Sequence, residues 1–182
     1  LTGSTALVQN TSSGVQLIDT ELVADYPTWG IDGFVGSNTT FTRVNIHGVV
    51  DSIKLTGGNV VIQDSWLHDN LYFATTPAGH DTHSDNLQIQ AGSNVTVRNS
   101  DLTGSRNAAV MITQDTGAVS GFTFTGNRAD NGACTINIAE KTYGPLQGLN
   151  ITGNVFGTGT KVDHCAVLMP PGTAPLASVS EN

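Results

Sequence analysis

The sequence reads Val60-Val61-Ile62-Gln63-Asp64-Ser65-Trp66-Leu67, and 35 residues later it reads Val95-Thr96-Val97-Arg98-Asn99-Ser100-Asp101-Leu102. Both stretches consist of alternating apolar residues, a polar pair that begins with Asn or Asp, one further residue and a final apolar residue. The same phrase, in whole or in its first part, also begins at Val15, Thr39, Phe122 and Leu149, so the six copies start 24, 21, 35, 27 and 27 residues apart. Six recurrences indicate a repeat protein in which each unit packs on the next.

A second alternating strand lies between successive copies. Its two apolar columns contain Ile53, Leu87, Val110, Ile136 and Val167, and Leu55, Ile89, Ile112, Ile138 and Met169. Period-two alternation puts both columns on one face and the residues between them in solvent. A unit of two or three short strands buries this face only by stacking on another unit. The sequence therefore predicts an all-β parallel solenoid of about six coils over residues 1–169, with a C-terminal cap or linker at residues 170–182.

Two other fold classes fit the pattern less well. A helical protein needs an apolar period of 3.6 residues, and no segment keeps one beyond about two turns. An immunoglobulin-like sandwich also has many short strands, but it does not predict matching apolar columns at a spacing of about 27 residues.

Composition narrows the class of protein. The chain has 182 residues, of which 38% are hydrophobic and 12% charged, and its formal net charge is −8. These values exclude a disordered chain or a coiled coil, and no apolar run is long enough to span a membrane. The negative charge argues against a nucleic-acid partner. Abundant Asn, Thr and Ser with few Lys predict a secreted protein, and since no signal peptide opens the chain we expect a mature form or an excised fragment.

The two cysteines occupy equivalent positions in adjacent coils. Cys134 lies two residues before Ile136, and Cys165 lies two residues before Val167. Stacked strands are about 4.8 Å apart, which is within the Cα separation that a disulfide bond tolerates. We predict a Cys134–Cys165 disulfide, with two buried free thiols as the alternative, and a disulfide would suit an oxidising compartment.

The repeat is broken once, in the 35-residue interval. The extra residues form a loop at 70–82. A long loop inside a regular solenoid more often has a function than not. Ionisable side chains cluster in or beside it: His68, Asp69, His80, Asp81, His83 and Asp85. These residue types also suit a transition metal, although their spacing matches no zinc signature.

Stacking of the coils brings further polar residues to this loop. Asp51 and Asp85 are equivalent positions, and so are Lys54 and Gln88, whereas Asn86 has the parity of an outward residue. The aromatic ring of Tyr72 and the guanidinium of Arg106 flank the same face by their position in the chain. Amides and carboxylates bind sugar hydroxyls, and aromatic rings cover the apolar faces of pyranoses. We therefore expect a glycan-binding face with His68, Asp69, Tyr72, His80, Asn86 and Gln88 as substrate-binding residues.

Three segments carry a resemblance to a known family. They are Asp51-Ser52-Ile53-Lys54-Leu55, Trp66-Leu67-His68-Asp69 and His83-Ser84-Asp85-Asn86-Leu87-Gln88. Together they resemble the pattern D-G-I-K-L, I-H-D, H-x-D-G-I-Q of right-handed parallel β-helix proteins of the pectate-lyase-like superfamily, which occur among secreted actinobacterial and phage tail proteins. The motif covers residues 51–88, and Ser52 and Asn86 stand where the pattern usually has Gly. The resemblance implies a right-handed solenoid that binds or acts on polysaccharide, and lyases, hydrolases, epimerases and adhesins share this fold.

The leading functional hypothesis is a polysaccharide lyase that cleaves a uronate-containing glycan by β-elimination. Such a reaction needs a base and a group that neutralises the substrate carboxylate. Lys54 is a candidate base if its neighbours lower its pKa, and His83 is the rival base. Arg106, or a Ca²⁺ ion held by Asp51 and Asp85, is the candidate neutralising group.

The same residues also suit other functions. Asp51 and Asp85 on stacked coils are a candidate carboxylate pair for a glycoside hydrolase, although their parity equally suits residues that accept hydrogen bonds from turn amides. A glycan-binding or adhesin module without turnover, for example in a phage tail fibre, is a further hypothesis. The last is a purely structural solenoid.

Overall fold

A computed structural model describes residues 5–162 and 164–182. This described part of the chain contains twenty short strands and two short 3₁₀ helices, Lys141–Tyr143 and Ala174–Leu176. In chain order the strands are β1 (Thr5–Asn10), β2 (Val15–Ile18), β3 (Glu21–Val23), β4 (Ile31–Gly36), β5 (Thr39–Thr42), β6 (Asn45–His47), β7 (Ile53–Leu55), β8 (Val60–Gln63), β9 (Trp66–Leu67), β10 (Asp85–Ile89), β11 (Gly92–Arg98), β12 (Asp101–Leu102), β13 (Ala108–Ile112), β14 (Val119–Thr125), β15 (Arg128–Ala129), β16 (Ile136–Ile138), β17 (Leu149–Thr152), β18 (Val155–Phe156), β19 (Val167–Leu168) and β20 (Ala177–Ser180).

The strands form three parallel sheets that the chain visits in turn. The first sheet has the order β1-β4-β7-β10-β13-β16-β19, the second β2-β5-β8-β11-β14-β17-β20 and the third β18-β15-β12-β9-β6-β3. Each coil therefore contributes one strand to every sheet. Within the described residues there are six complete coils and two strands of a seventh, and the protein is a right-handed parallel β-helix.

The strand register follows the apolar columns of the sequence. Leu87 pairs with Ile53 on one neighbouring strand and with Val110 on the other. Ile136 then pairs with Val110 on one side and with Val167 on the other. A shift of one residue would turn each inward side chain to solvent, so burial of the columns specifies this register.

The core runs as one continuous column inside the coils. Phe34 and Phe41 are fully buried and meet edge to face, with ring centroids 4.9 Å apart. Phe122 and Phe124 fill the later coils and are fully buried too. Because burying one such side chain contributes about 1.5–3 kcal/mol, stacking of apolar side chains from coil to coil stabilises the solenoid.

The polar pair of the repeat forms the turn between the second and third sheets. Its first residue has a positive φ, as in Asp64 (54°) and Asn99 (50°), a conformation that Asn and Asp adopt more readily than most residues. In the C-terminal coils its second residue bonds the neighbouring coil, since Asn154 Oδ1 accepts the backbone N–H of Asn127 at 2.9 Å. Asn127 Oδ1 accepts the N–H of Ser100 at the same distance. The pair thus combines a sharp turn with a link between coils.

The C-terminal end of the core is covered by residues 170–182. Strand β20 pairs with β17, and the buried hydroxyl of Thr173 accepts the backbone N–H of Leu146 at 3.0 Å. Asn182 accepts the N–H of Asn154 and so continues the column of turn asparagines. A disulfide bond joins Cys134 to Cys165 across adjacent coils, with the Cα atoms 4.8 Å apart. Neither 3₁₀ helix in the described chain has the length and apolar character to cross a membrane.

Candidate functional site

A cleft of about 430 Å³ lies on the outer side of the first sheet. Its floor includes Lys54 and Gln88, which are outward residues of β7 and β10, and the buried carboxylates of Asp32 and Asp51. The loop at residues 70–82 supplies one wall through Thr76, Ala78 and His80 to Thr82. The extra residues of the repeat therefore build a depression that a regular coil would not have.

Hydrogen bonds within the loop hold that wall in place. Phe73 and Thr82 face each other, with the Thr82 N–H bonded to the Phe73 carbonyl and the Phe73 N–H bonded to the Thr82 hydroxyl, each at 3.0 Å. The Tyr72 hydroxyl donates to Asp81 Oδ2 at 3.1 Å. Leu71 N–H donates to the Val49 carbonyl at 2.7 Å, which ties the loop to the preceding coil.

The floor of the cleft contains a buried ionic group. Lys54 Nζ lies 2.8 Å from Asp32 Oδ2 and 2.8 Å from Asp51 Oδ2. The Lys54 side chain is 19% exposed, whereas the two carboxylates are 2% and 3% exposed. Since an ammonium has three N–H donors, the two carboxylates account for two of them.

Burial and charge shift the pKa values of this group. Burial raises the pKa of Asp51 to about 6; the Lys54 charge opposes this shift and the Asp32 charge adds to it. Burial acts to lower the pKa of Lys54, but the charges of Asp51 and Asp32 outweigh it, so the pKa of Lys54 is raised. Lys54 is therefore protonated at neutral pH, and the condition under which it was a candidate base, a pKa lowered by its neighbours, is not met.

Asp85 continues the aspartate column beneath the surface. Asp32, Asp51 and Asp85 stack on successive coils, and each backbone N–H bonds the carboxylate before it: Asp51 to Asp32 Oδ1 at 3.2 Å and Asp85 to Asp51 Oδ1 at 2.9 Å. Asp85 is fully buried, and burial, reinforced by the Asp51 charge, raises its pKa well above the ordinary value. Its Oδ1 accepts the Asn107 amide at 2.9 Å. Asp85 therefore does not face the cleft, so Asp51 and Asp85 do not flank a substrate bond as a hydrolytic pair would.

Calcium does not fit Asp51 and Asp85 as they stand. Both oxygens of Asp51 are engaged, one by Lys54 and the other by the Asp85 backbone N–H. Among residues 5–162 and 164–182, no three His, Cys, Asp or Glu side chains converge in a way that would hold a metal ion. A cation at this point would also meet the Lys54 ammonium, so we derive no chemistry from Ca²⁺.

Several predicted residues do meet in the cleft. His80 and His83 are exposed along its wall, and Gln88 lies beside Lys54 in the register of the sheet. The His80 ring Nδ1 lies 2.9 Å from the Asp81 carbonyl oxygen, which orients the imidazole. The indole of Trp29, 37% exposed, lines the cleft as well. Because Lys54 is held between two carboxylates, His83 is the remaining candidate of the two bases that the sequence suggested, and its exposed imidazole lies in the cleft.

Other predicted residues lie elsewhere. Arg106 and Tyr72 border a separate depression together with Lys161, and the Arg106 guanidinium lies 3.7 Å above the Tyr72 ring. His68 and Asp69 directly follow β9 of the third sheet, and His68 Nδ1 lies 2.8 Å from Asp69 Oδ2. These four residues do not line the cleft, so the expectation that they gather around it with Lys54 is wrong.

Asn86 lies inside the solenoid rather than on its surface. The side chain is fully buried, and its amide donates to the carbonyl oxygens of Leu67 at 3.1 Å and Thr103 at 2.9 Å. The expectation that Asn86 faces outward is therefore wrong. Asp85, Asn86 and Leu87 at the start of β10 are all buried, as are the equivalent residues of β4 and β13, so exposure does not alternate there.

Sequence reasoning missed Asp32 and Trp29 among the residues of the cleft. Asp32 lies two positions before the inward Phe34, just as Asp51 precedes Ile53, so extending the column by one coil would have identified it. Trp29 lies in the connection between β3 and β4, outside the repeat, and no periodic signal marks it.

Fold and cleft together define the chain as a parallel β-helix protein with a polar, loop-walled cleft on its first sheet. Comparison with protein-family models, with curated proteins and with solved structures yields no match to this chain.

Proposed function

We propose that this is a secreted, carbohydrate-active β-helix protein that binds a polysaccharide in the cleft. The observation that carries the proposal is the chemistry of the lining: the Trp29 indole, the Gln88 amide and the exposed imidazoles of His80 and His83 share one depression. Aromatic rings stack on the apolar faces of sugars, and amides and imidazoles bond their hydroxyls. A volume of about 430 Å³ also lies within the usual range for ligand sites.

The reaction we propose is β-elimination at a uronate: His83 takes the proton from C5, the C4–O bond breaks as a C4–C5 double bond forms, and the leaving oxygen takes a proton from water. The third N–H of Lys54 is the donor for the substrate carboxylate, because Asp32 and Asp51 engage only the other two.

As the pH falls through about 6, Asp51 takes up a proton and the cleft becomes one charge more positive. Binding of an acidic glycan should therefore tighten as the pH is lowered through this range.

A binding module without turnover is the second candidate. It is favoured by the charge balance of the cleft, since the Lys54 ammonium is shared between two carboxylates. A substrate carboxylate must compete with both of them for Lys54. Secretion is supported by the Cys134–Cys165 disulfide, because such bonds persist in oxidising compartments.

The test is a panel of acidic and neutral polysaccharides. Ultraviolet absorbance of unsaturated uronate reports elimination, reducing ends report any cleavage, and calorimetry reports binding. We expect absorbance that is lost in His83→Ala and retained in His164→Ala, an exposed histidine outside the cleft lining. Reducing ends without absorbance would refute elimination, and saturable binding without product would leave the binding module. Absence of both binding and product would refute the whole proposal.

A further inference from the structure

Three rings are stacked on the outer side of the third sheet, away from the cleft. The imidazole of His47 lies on that of His68, with centroids 4.9 Å apart and planes 18° apart. The imidazole of His68 lies on the indole of Trp66, with centroids 3.5 Å apart and planes 18° apart. The strand register explains the stack, because Asn45–His47 and Trp66–His68 run side by side and present alternate residues to solvent.

Polar contacts fix the orientation of the stack. His68 is 8% exposed, and its two ring nitrogens lie 2.8 Å from Asp69 Oδ2 and 2.9 Å from Asn45 Oδ1. The Nε2 atom of His47 lies 3.1 Å from Glu21 Oε1. His68 covers one face of the Trp66 indole, yet Trp66 remains 49% exposed. The indole is therefore held in place while much of its surface is in solvent.

Polar side chains border the exposed indole. Trp66 lines an open depression of about 670 Å³ together with Asn45, Asp64, Asn99, Asp101 and Arg128. The charged side chains of the lining are two cations, Arg43 and Arg128, and two anions, Asp64 and Asp101, and Arg128 Nη1 lies 2.8 Å from Asp101 Oδ2, so the charges compensate each other. A fixed aromatic platform surrounded by amides and a compensated ion pair suits the apolar face and the hydroxyls of a neutral sugar better than an anion.

We propose that the Trp66 platform, formed by Trp66, His68 and the polar side chains around them, is a second carbohydrate site that binds a neutral pyranose. It shares no lining residue with the cleft, so it neither requires nor implies the proposed chemistry of the cleft. In this arrangement the sugar stacks on the indole, while Asn45, Asn99 and the Asp101–Arg128 pair bond its hydroxyls. The platform would hold a glycan on the third sheet, in addition to the glycan in the cleft on the first sheet.

The two tryptophans of the chain allow the two sites to be tested separately. Trp29→Phe leaves Trp66 as the sole indole, and Trp66→Phe leaves Trp29. The probes are cellohexaose, xylohexaose and mannohexaose, with hexagalacturonate as the anionic comparison. In Trp29→Phe we expect a saturable change of Trp66 emission with at least one neutral hexasaccharide, at an affinity at least tenfold higher than for hexagalacturonate.

Calorimetry on the otherwise unchanged chain supplies the second readout. Trp66→Ala should weaken binding of that neutral probe at least tenfold, whereas Tyr26→Ala, which removes an aromatic ring that is 88% exposed and outside the platform, should leave it unchanged. The proposal would be overturned if Trp66 emission in Trp29→Phe changed with none of the neutral hexasaccharides. It would also be overturned if hexagalacturonate bound with the same affinity as the neutral probe. If instead the cleft binds no glycan, Trp29 emission in Trp66→Phe should not change with any probe, while Trp66 emission in Trp29→Phe should still respond to the neutral probe.

Discussion

Replacing Lys54 by Met removes the cation that two buried carboxylates share, while it keeps an unbranched apolar stem in place. Asp32 and Asp51 are 2% and 3% exposed and would lose their ammonium partner at 2.8 Å. Removal of one member of a buried ion pair typically costs about 3–5 kcal/mol, because the remaining charge stays desolvated. We expect a loss of that size in the free energy of unfolding at pH values near 8.

The loss should depend on pH in a definite direction. Burial holds the pKa of Asp51 at about 6 in the folded protein, above the value of 3.8 assigned to an unperturbed aspartate, even with Lys54 opposing the shift. Without Lys54 the pKa rises further. A carboxyl whose pKa is raised by folding contributes stability at low pH, and this contribution is lost as the pH rises through the folded pKa. The difference in the free energy of unfolding between Lys54→Met and the wild type should therefore be smaller at about pH 5 than at about pH 8.

Urea unfolding followed by circular dichroism at both pH values measures the effect. Lys141→Met is the matched control, because Lys141 and Asp115 pair on the surface and such a pair contributes about 0–1 kcal/mol. Adding Asp51→Asn to Lys54→Met should recover part of the loss at high pH. A Lys54→Met variant that loses less than about 1 kcal/mol at both pH values would refute the reasoning, as would an equal loss at both.

Three further predictions concern stability. Joint replacement of Cys134 and Cys165 by Ala should lower the free energy of unfolding by about 4 kcal/mol, which is the loss of unfolded-chain entropy expected for a disulfide between residues 31 positions apart. A reductant should lower the Tm of the wild type for the same reason. Gly58→Ala should cost about 1–3 kcal/mol in urea unfolding, since its Cβ would overlap a backbone carbonyl oxygen of the next coil, whereas Gly117→Ala should cost less. Added Ca²⁺ or a chelator should leave Tm unchanged, because both oxygens of Asp51 are engaged; a Ca²⁺-dependent rise in Tm would contradict that account.

The fold was predictable because the repeat carries its own register. Inward residues such as Leu87 and Val110 must remain inward in every coil, so aligning the apolar columns also aligns the strands. The same alignment made Cys134 and Cys165 neighbours. These inferences depend only on the alternation of side chains, which the β conformation imposes.

The site was predictable only in part, because proximity in the sequence does not identify a face of the solenoid. His68 and His83 flank the same loop, yet one lies on the third sheet and the other in the cleft on the first. The loop has two sides, and Arg106 lies on the side away from the cleft with Tyr72. Asn86 was misplaced because exposure does not alternate at the start of β10: it has the parity of an outward residue, but its amide is buried against the carbonyl oxygens of Leu67 and Thr103.

The ionic group illustrates a second limit of sequence reasoning. Lys54 has the alternation of an outward residue, which the register confirms through its pairing with Gln88. Its pKa, however, is determined by Asp32 on the preceding coil and by the degree of burial. The contact with Asp32 and the burial of Lys54 both depend on how the coils and the loop pack together, and this packing cannot be inferred from a local sequence pattern.

A crystal structure with a bound oligosaccharide, chosen from the glycan panel by affinity, would show whether the cleft is the glycan site. We expect a sugar ring in the cleft of the first sheet, against Trp29 and within hydrogen-bonding distance of Gln88, Lys54 or His83. A glycan bound only outside the cleft, with these four side chains uncontacted, would contradict the proposed function.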